Sequence, residues 1–223
     1  MKIFFKLLFI FISSFILTSC FDIIEELNLN NDGSGNIKWT LNFSKSKTAV
    51  SSLLLLDSIN GHKILHEEDI NAILFNTKAK LSLINGISNI ETSTNFDNYI
   101  FTISYTFDKI EQVNSINDDL LKAINKPYFT NKYYYNTSLN IFEKLLLYDT
   151  NAREDYEKLS SKDKSILENA FHTTICRFES EVLNLTNGLT KISKSNKAIM
   201  MRAPILDLLY QRKSISNKVT LED

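Results

Sequence analysis

Residues 99–107 alternate in polarity along the chain. Tyr99, Phe101, Ile103, Tyr105 and Phe107 are apolar or aromatic, and Thr102, Ser104 and Thr106 fill the gaps from 101 onward. A repeat of two residues puts every second side chain on one face of a strand, whereas a helix would scatter the same residues around its surface. The pattern predicts a strand with Phe101, Ile103 and Tyr105 facing a core and Thr102 and Ser104 facing away. A slip of one residue would bury the hydroxyls and expose the rings, so the register is strongly specified. Residues 87–94 read as the partner strand, with Asn95-Phe96-Asp97-Asn98 as the turn between them.

Residues 23–43 read as another hairpin. Ile37, Trp39, Leu41 and Phe43 alternate with Lys38, Thr40 and Asn42, and residues 23–29 form the preceding strand. Asn31-Asp32-Gly33-Ser34-Gly35 joins them, with glycines suited to a tight turn. The loop lacks the spaced carboxylates and closing glutamate of a calcium loop.

Helices are expected between and after these hairpins. Ser44 caps a helix over 45–59, whose Leu53-Leu54-Leu55-Leu56 run is apolar on every side and is expected to be well buried. Gly61 ends it. A helix over 67–84 carries Ile70, Ile73, Leu74, Thr77, Leu81 and Ile84 on its inner stripe, with Glu67, Glu68 and Asp69 in its first turn, where the dipole favours anions. Asp108-Lys109-Ile110-Glu111 reads as a capping box opening a helix to about residue 124. Residues 133–139 are strand-like. A polar helix covers 152–171, interrupted at Ser160-Ser161. Strands follow over 173–182, 189–193 and 198–202, a short helix from Pro204 to Leu209, and an edge strand over 214–221. Strands joined mainly as hairpins imply an α+β fold: an antiparallel sheet with helices packed on one face.

The first twenty residues set the expected address. Lys2 and Lys6 precede an apolar run over 7–17 broken only by Ser13 and Ser14. The run is shorter than the ~20 residues a spanning helix needs, and it ends in Leu17-Thr18-Ser19-Cys20. This pattern reads as a lipoprotein signal: residues 1–19 removed and lipid added to the Cys20 thiol. Acyl chains bind a bilayer through ~0.8 kcal/mol per buried methylene, so several chains on one residue anchor firmly. The expected location is the cell envelope, lipid-anchored to a membrane, with the outer membrane of a Gram-negative bacterium as the leading address. Residues 20–223 then form one envelope domain, with the charged stretch 151–164 as a soft boundary between two lobes.

Two of the 25 basic residues lie in the signal, so the remainder carries a small acidic excess against 26 acids. With no basic surplus, nucleic acid is not an expected partner. Of the two cysteines, lipidation of Cys20 leaves Cys176 alone, so stability must come from the apolar core rather than from a disulfide.

The signal, the segment Ile24-Glu25-Glu26-Leu27, the Asn31-Asp32-Gly33-Ser34-Gly35 turn and Arg177-Phe178-Glu179-Ser180-Glu181-Val182 together resemble uncharacterised Bacteroidetes lipoproteins of this size. More loosely, the chain is similar to the LppM-like bacterial lipoprotein domain, in which a lipidated Cys leads into a strand, an Asp-Gly-Ser-Gly turn and a second strand. The resemblance implies an envelope-attached α+β domain and brings no catalytic residues with it. Asp57-Ser58-Ile59 resembles the O-glycosylation motif of exported Bacteroidetes proteins, but the buried-helix reading of that segment argues against it.

No catalytic, cofactor-binding or metal-ligating residues are expected. His62 and His66 stand four apart beside Glu67, Glu68 and Asp69, but Gly61 puts His62 in a loop and the motif His-Glu-x-x-His is absent. His172 and Cys176 are separated by ~13 Å along a strand, too far for a catalytic pair. The alternation puts Cys176 and Phe178 on the inner face and Arg177 and Glu179 on the other. In the triplet Tyr133-Tyr134-Tyr135 it exposes at least one ring. Carboxylates read as solvated surface. The expectation is a non-enzymatic binding or scaffold module, anchored through its lipid and holding a lipid or other apolar ligand between sheet and helices. The alternative is an accessory protein docking on another envelope protein through a sheet edge or tyrosine patch. An enclosed apolar cavity would favour the first, and a filled core with an exposed apolar patch the second.

Overall fold

The computed structural model describes residues 21–55, 58–59, 62–114, 129–148 and 152–223. The fold is α+β, with strands dominating and most strand pairs antiparallel. The first hairpin forms as its alternation requires, from β1 (Asp22–Leu29) and β2 (Gly35–Asn42). Gly33 takes a positive φ of 87° in the turn. Gly35 is required for a different reason, because a Cβ there would stand 2.0 Å from the Asn28 carbonyl oxygen. β2 pairs onward with the second hairpin, after a short excursion. That excursion contains a 3-10 turn (Ser44–Ser46), α1 (Lys47–Leu53), the small pair β3 (Ser58–Ile59) and β4 (His62–Lys63), and α2 (Glu67–Leu81).

β5 (Ile87–Asn95) and β6 (Ile100–Phe107) complete the second hairpin. β7 (Phe129–Asn136) and β8 (Ile141–Tyr148) form a third. Then come α3 (Ala152–Glu157), α4 (Ser161–Glu168), β9 (Phe171–Phe178), β10 (Val182–Leu185), β11 (Lys191–Ile192), β12 (Ala198–Pro204), α5 (Ile205–Leu209) and β13 (Asn217–Leu221). Among the described residues, the larger sheet has seven strands in the order β11-β12-β9-β1-β2-β6-β5, and the smaller has four in the order β10-β13-β8-β7. Among the described strands, β1 and β9 are the parallel pair and the other neighbours are antiparallel. Segments on both sides of residue 150 contribute strands to both sheets.

The sheets meet face to face. Leu27, Ile37 and Phe107 of the larger sheet and Tyr133, Phe142 and Val219 of the smaller belong to one cluster of fully buried side chains. Two packed apolar faces remove the most area from water, which gives the main driving force for this arrangement.

Several sequence expectations change. The helix expected over 45–59 stops at Leu53, and Ser58 and Ile59 are extended. The leucine run is not uniformly buried: Leu54 is half-buried and Leu55 is 85% exposed. On α2, Ile70, Leu74, Thr77 and Leu81 do turn inward, but Ile73 is exposed. In β6 the expected alternation is clear at its end, where Tyr105 and Phe107 are buried and Thr106 between them is not, while Phe101, Thr102, Ile103 and Ser104 are all half-buried. Tyr99 falls outside the strand, with a positive φ of 51°. The acceptor at Asp108 is Gln112, whose side-chain oxygen takes the Asp108 and Lys109 N–H groups, rather than Glu111. The helix expected beyond that point is described as far as residue 114, and the rest lies outside the described residues, as does Asp57 of the Asp57-Ser58-Ile59 pattern.

Residues 141–148 form a strand whose adjacent Glu143 and Lys144 conceal its period-2 pattern. The helix expected over 152–171 breaks at Ser160, as its interruption predicted, but Phe171 already belongs to β9. The strand expected over 173–182 is split, its end passing to β10 of the other sheet. β13, expected at an edge, lies between β10 and β8. Cys176 and Phe178 face the core, with Arg177 exposed. Tyr133 and Tyr135 are buried and Tyr134 is exposed, as the triplet required.

Candidate functional site

Among the described residues, two places stand out. The first lies between the sheets. Glu25 of β1 is in phase with Leu27 and Leu29, and Lys144 of β8 is in phase with Phe142 and Leu146, so both point inward. Lys144 Nζ donates to both Glu25 carboxylate oxygens at 2.8 Å, and to the Tyr133 hydroxyl at 3.2 Å. The same ammonium stands 4.7 Å from the centre of the Tyr133 ring. Asn131 Nδ2 donates to Glu25 Oε2 at 3.0 Å. His172 Nε2 is 3.5 Å from that oxygen, and the His172 ring meets Trp39 edge-on.

Burial pushes the Glu25 carboxyl up, but the Lys144 charge and the hydrogen bonds from His172 and Lys144 outweigh it and hold the group at about 2. Burial pushes His172 below its ordinary value, against the pull of Glu25. Burial, reinforced by Glu25, pushes the Cys176 thiol up to about 12 and raises Tyr133 well above a normal phenol. The Glu25 and Lys144 side chains are entirely shielded from solvent. A general acid or base must reach a substrate proton within hydrogen-bond distance. In this conformation the cluster therefore joins the sheets rather than meeting a solute. A thiol at about 12 is also a poor nucleophile.

The second place is an apolar pocket of about 190 Å³ at the end of the larger sheet where β1 begins. It is lined by Phe43, Phe96 and Phe101, by Val50 of α1 and Leu54 just after it, and by Leu65 and Ile70 from the approach to α2 and α2 itself. Glu67 is the charged residue of the lining.

The pocket is held by local bonds. The Asn42 side chain accepts the Ser44 N–H at 3.0 Å, turning the chain out of β2. The Phe43 N–H donates to the Tyr99 carbonyl at 3.0 Å, which pins Tyr99 in its left-handed conformation. The hydroxyls of Tyr99 and Ser51 are 2.9 Å apart, fastening α1 to the hairpin. The His66 N–H donates to the Asp69 carboxylate at 3.1 Å, so these residues cap α2. Among the described residues no group of three or more His, Cys, Asp or Glu could hold a metal ion.

A line of rings connects this pocket to the start of the fold. Phe96 and Phe101 are 5.5 Å apart, Phe101 and Phe43 6.5 Å, and Phe43 stacks on Phe21 at 5.0 Å. Phe21 is itself packed against Ala170 and Ile205. Cys20, the expected lipidation site, is the residue before Phe21.

Sequence reasoning misses both places. The charge of Glu25 points to the surface, although its phase with Leu27 and Leu29 marks it as inward-facing. No local signal joins Phe43 to Ile70.

No family model matches the chain, and no curated protein matches it. Among solved structures it is similar to the NMR structure of the Mycobacterium tuberculosis LppM protein folded domain. The two share 10% sequence identity over 91% of each chain, with a TM-score of 0.42. Among the described residues, no helix is long and apolar enough to cross a membrane.

Proposed function

We propose that this chain is a non-enzymatic binding module of the cell envelope, anchored through lipid on Cys20, whose end pocket takes an apolar group. The observation that carries the reading is the apolar pocket beside Phe21, the first residue after the expected anchor. Its volume of about 190 Å³ is below the ~300–1,000 Å³ of sites that enclose whole ligands. It is close to the ~150 Å³ of a dry cavity that takes a benzene ring. The pocket thus suits part of an aliphatic chain or one ring.

The test is fractionation of cells fed an alkyne-tagged fatty acid. The wild-type chain should carry the tag and sediment with membranes, and Cys20→Ala should lose the tag and leave them. An untagged wild type, or a variant that stays in the membrane fraction, would overturn the anchor.

A second reading, docking on another envelope protein, is favoured by the outer face of the smaller sheet. Tyr134 on β7 and Leu147 on the paired β8 are each nearly half exposed there. Cross-linking through a photoreactive residue at 134 tests it, a discrete adduct being the expected result.

A further inference from the structure

The residue expected to carry the anchor is the chain neighbour of Phe21, which packs at the pocket end of the fold. β1 starts at Asp22, and Phe21 is already packed. One residue spans at most ~3.6 Å, so lipid on Cys20 holds this end of the larger sheet at the bilayer surface. The register lines up Asp22, Asn42 and Ile100 across β1, β2 and β6, with Asn95 opposite Ile100 on β5. Phe43, Phe96 and Phe101 therefore occupy the edge that a membrane tethered at Cys20 meets first.

We infer that this end docks on the anchoring bilayer and that the pocket takes a segment of an acyl chain from a lipid of that membrane; the inference rests on the reading of Cys20 as the lipidated residue. Leu55 is 85% exposed beside the lining residue Leu54, and Leu65, itself part of the lining, is 46% exposed. Exposed leucines around an apolar pocket are unfavourable in water and favourable at the acyl boundary of a bilayer. The charges nearby are mixed, with exposed Lys45 and Lys47 against Glu67. Contact is consequently driven by apolar area, and salt should change it little. The small volume fits the occupant, since a chain entering from a bilayer leaves most of its length in the membrane.

Depth-dependent quenching tests this with the full lipidated protein in phosphatidylethanolamine/phosphatidylglycerol vesicles containing brominated phosphatidylcholine. The chain has one tryptophan, so Trp39→Phe gives a silent background. Leu55→Trp and, separately, Leu65→Trp report on the docked end. Lys109→Trp reports on the far end, because the neighbouring Ile110 N–H bonds the Gly33 carbonyl of the opposite turn. That is about 26 Å away along an eight-residue strand. Brominated lipid should reduce the emission of the position 55 and 65 reporters at least twofold, at low and high salt alike, and leave position 109 unchanged. Retention on vesicles with no quenching at 55 or 65 overturns the inference and leaves the anchor standing. Concentration-dependent blue shifts at 55 without quenching would assign the pocket to a second copy of the chain and also overturn it. If wild type and Cys20→Ala float equally poorly with vesicles, the anchor fails and the inference falls with it.

Discussion

Lys144 Nζ lies 2.8 Å from each carboxylate oxygen of Glu25, and the two side chains come from different sheets and are wholly buried. Breaking such a pair leaves an unpaired charge in the core, a cost of about 3–5 kcal/mol. Lys144→Met or Glu25→Met should each lower stability by about that much in urea unfolding. The double variant should cost less than the sum of the two, because it leaves neither charge unpaired. Additive losses would show that the pair is energetically uncoupled.

Acid should weaken the fold in a defined direction. Glu25 is held at about 2 against an ordinary 4.5, so its contribution is present above about pH 4.5 and is lost as pH falls toward 2. His172 is also lowered from its ordinary 6.5. The unfolded chain therefore takes up that proton first, and stability starts to fall below about pH 6.5. Urea midpoints measured from about pH 8 to about pH 3 should decline monotonically below about 6.5. In His172→Gln the decline between about 6.5 and about 5 should shrink, while the steeper loss below about 4.5 remains.

Gly35 has its own penalty. A methyl group there would meet the Asn28 carbonyl at 2.0 Å and the Phe107 ring at 2.9 Å. Gly35→Ala must shift the hairpin and should cost about 1–3 kcal/mol or more. At Gly188 a methyl group would meet nothing within 4 Å. Gly188→Ala should change stability by about 0.5 kcal/mol or less.

Cys176 is buried and its thiol is pushed up to about 12. A maleimide reagent should label the folded protein slowly and the denatured protein at the rate of a free thiol. Equal rates would place Cys176 at the surface.

Phe101 and Phe107 lie on one face of β6 but differ in depth. Phe107→Ala should cost about 3–5 kcal/mol. Half-buried Phe101, which lines the pocket, should cost about 2 kcal/mol, in proportion to the area it hides.

Local pattern carries the two hairpins, the inward face of Cys176 and the break at Ser160, because each depends on neighbours a few residues apart. It fails where partners are distant. The partner of Glu25 is 119 positions away at Lys144, so phase can mark the residue as inward but cannot name its partner. The strand over residues 141–148 has a polar residue at both Glu143 and Lys144, on opposite faces, which erases the period-2 signal. β13 looks like an edge strand because nothing local reveals that β10 pairs on its other side. The pocket gathers residues from separate segments between Phe43 and Phe101, each with an ordinary local appearance.

The parallel pairing of β1 with β9 also governs the order of assembly. Glu26 and Arg177 bridge at 3.1 Å across 151 positions of sequence. A chain synthesised from its N-terminus has β2 available early for one edge of β1, but the other edge finds its partner only when residues 171–178 emerge. Until then that edge is an open template for stray strands, and the late closure adds a long loop to the entropic barrier. The centre of the larger sheet is thus among the last parts of the molecule to be completed.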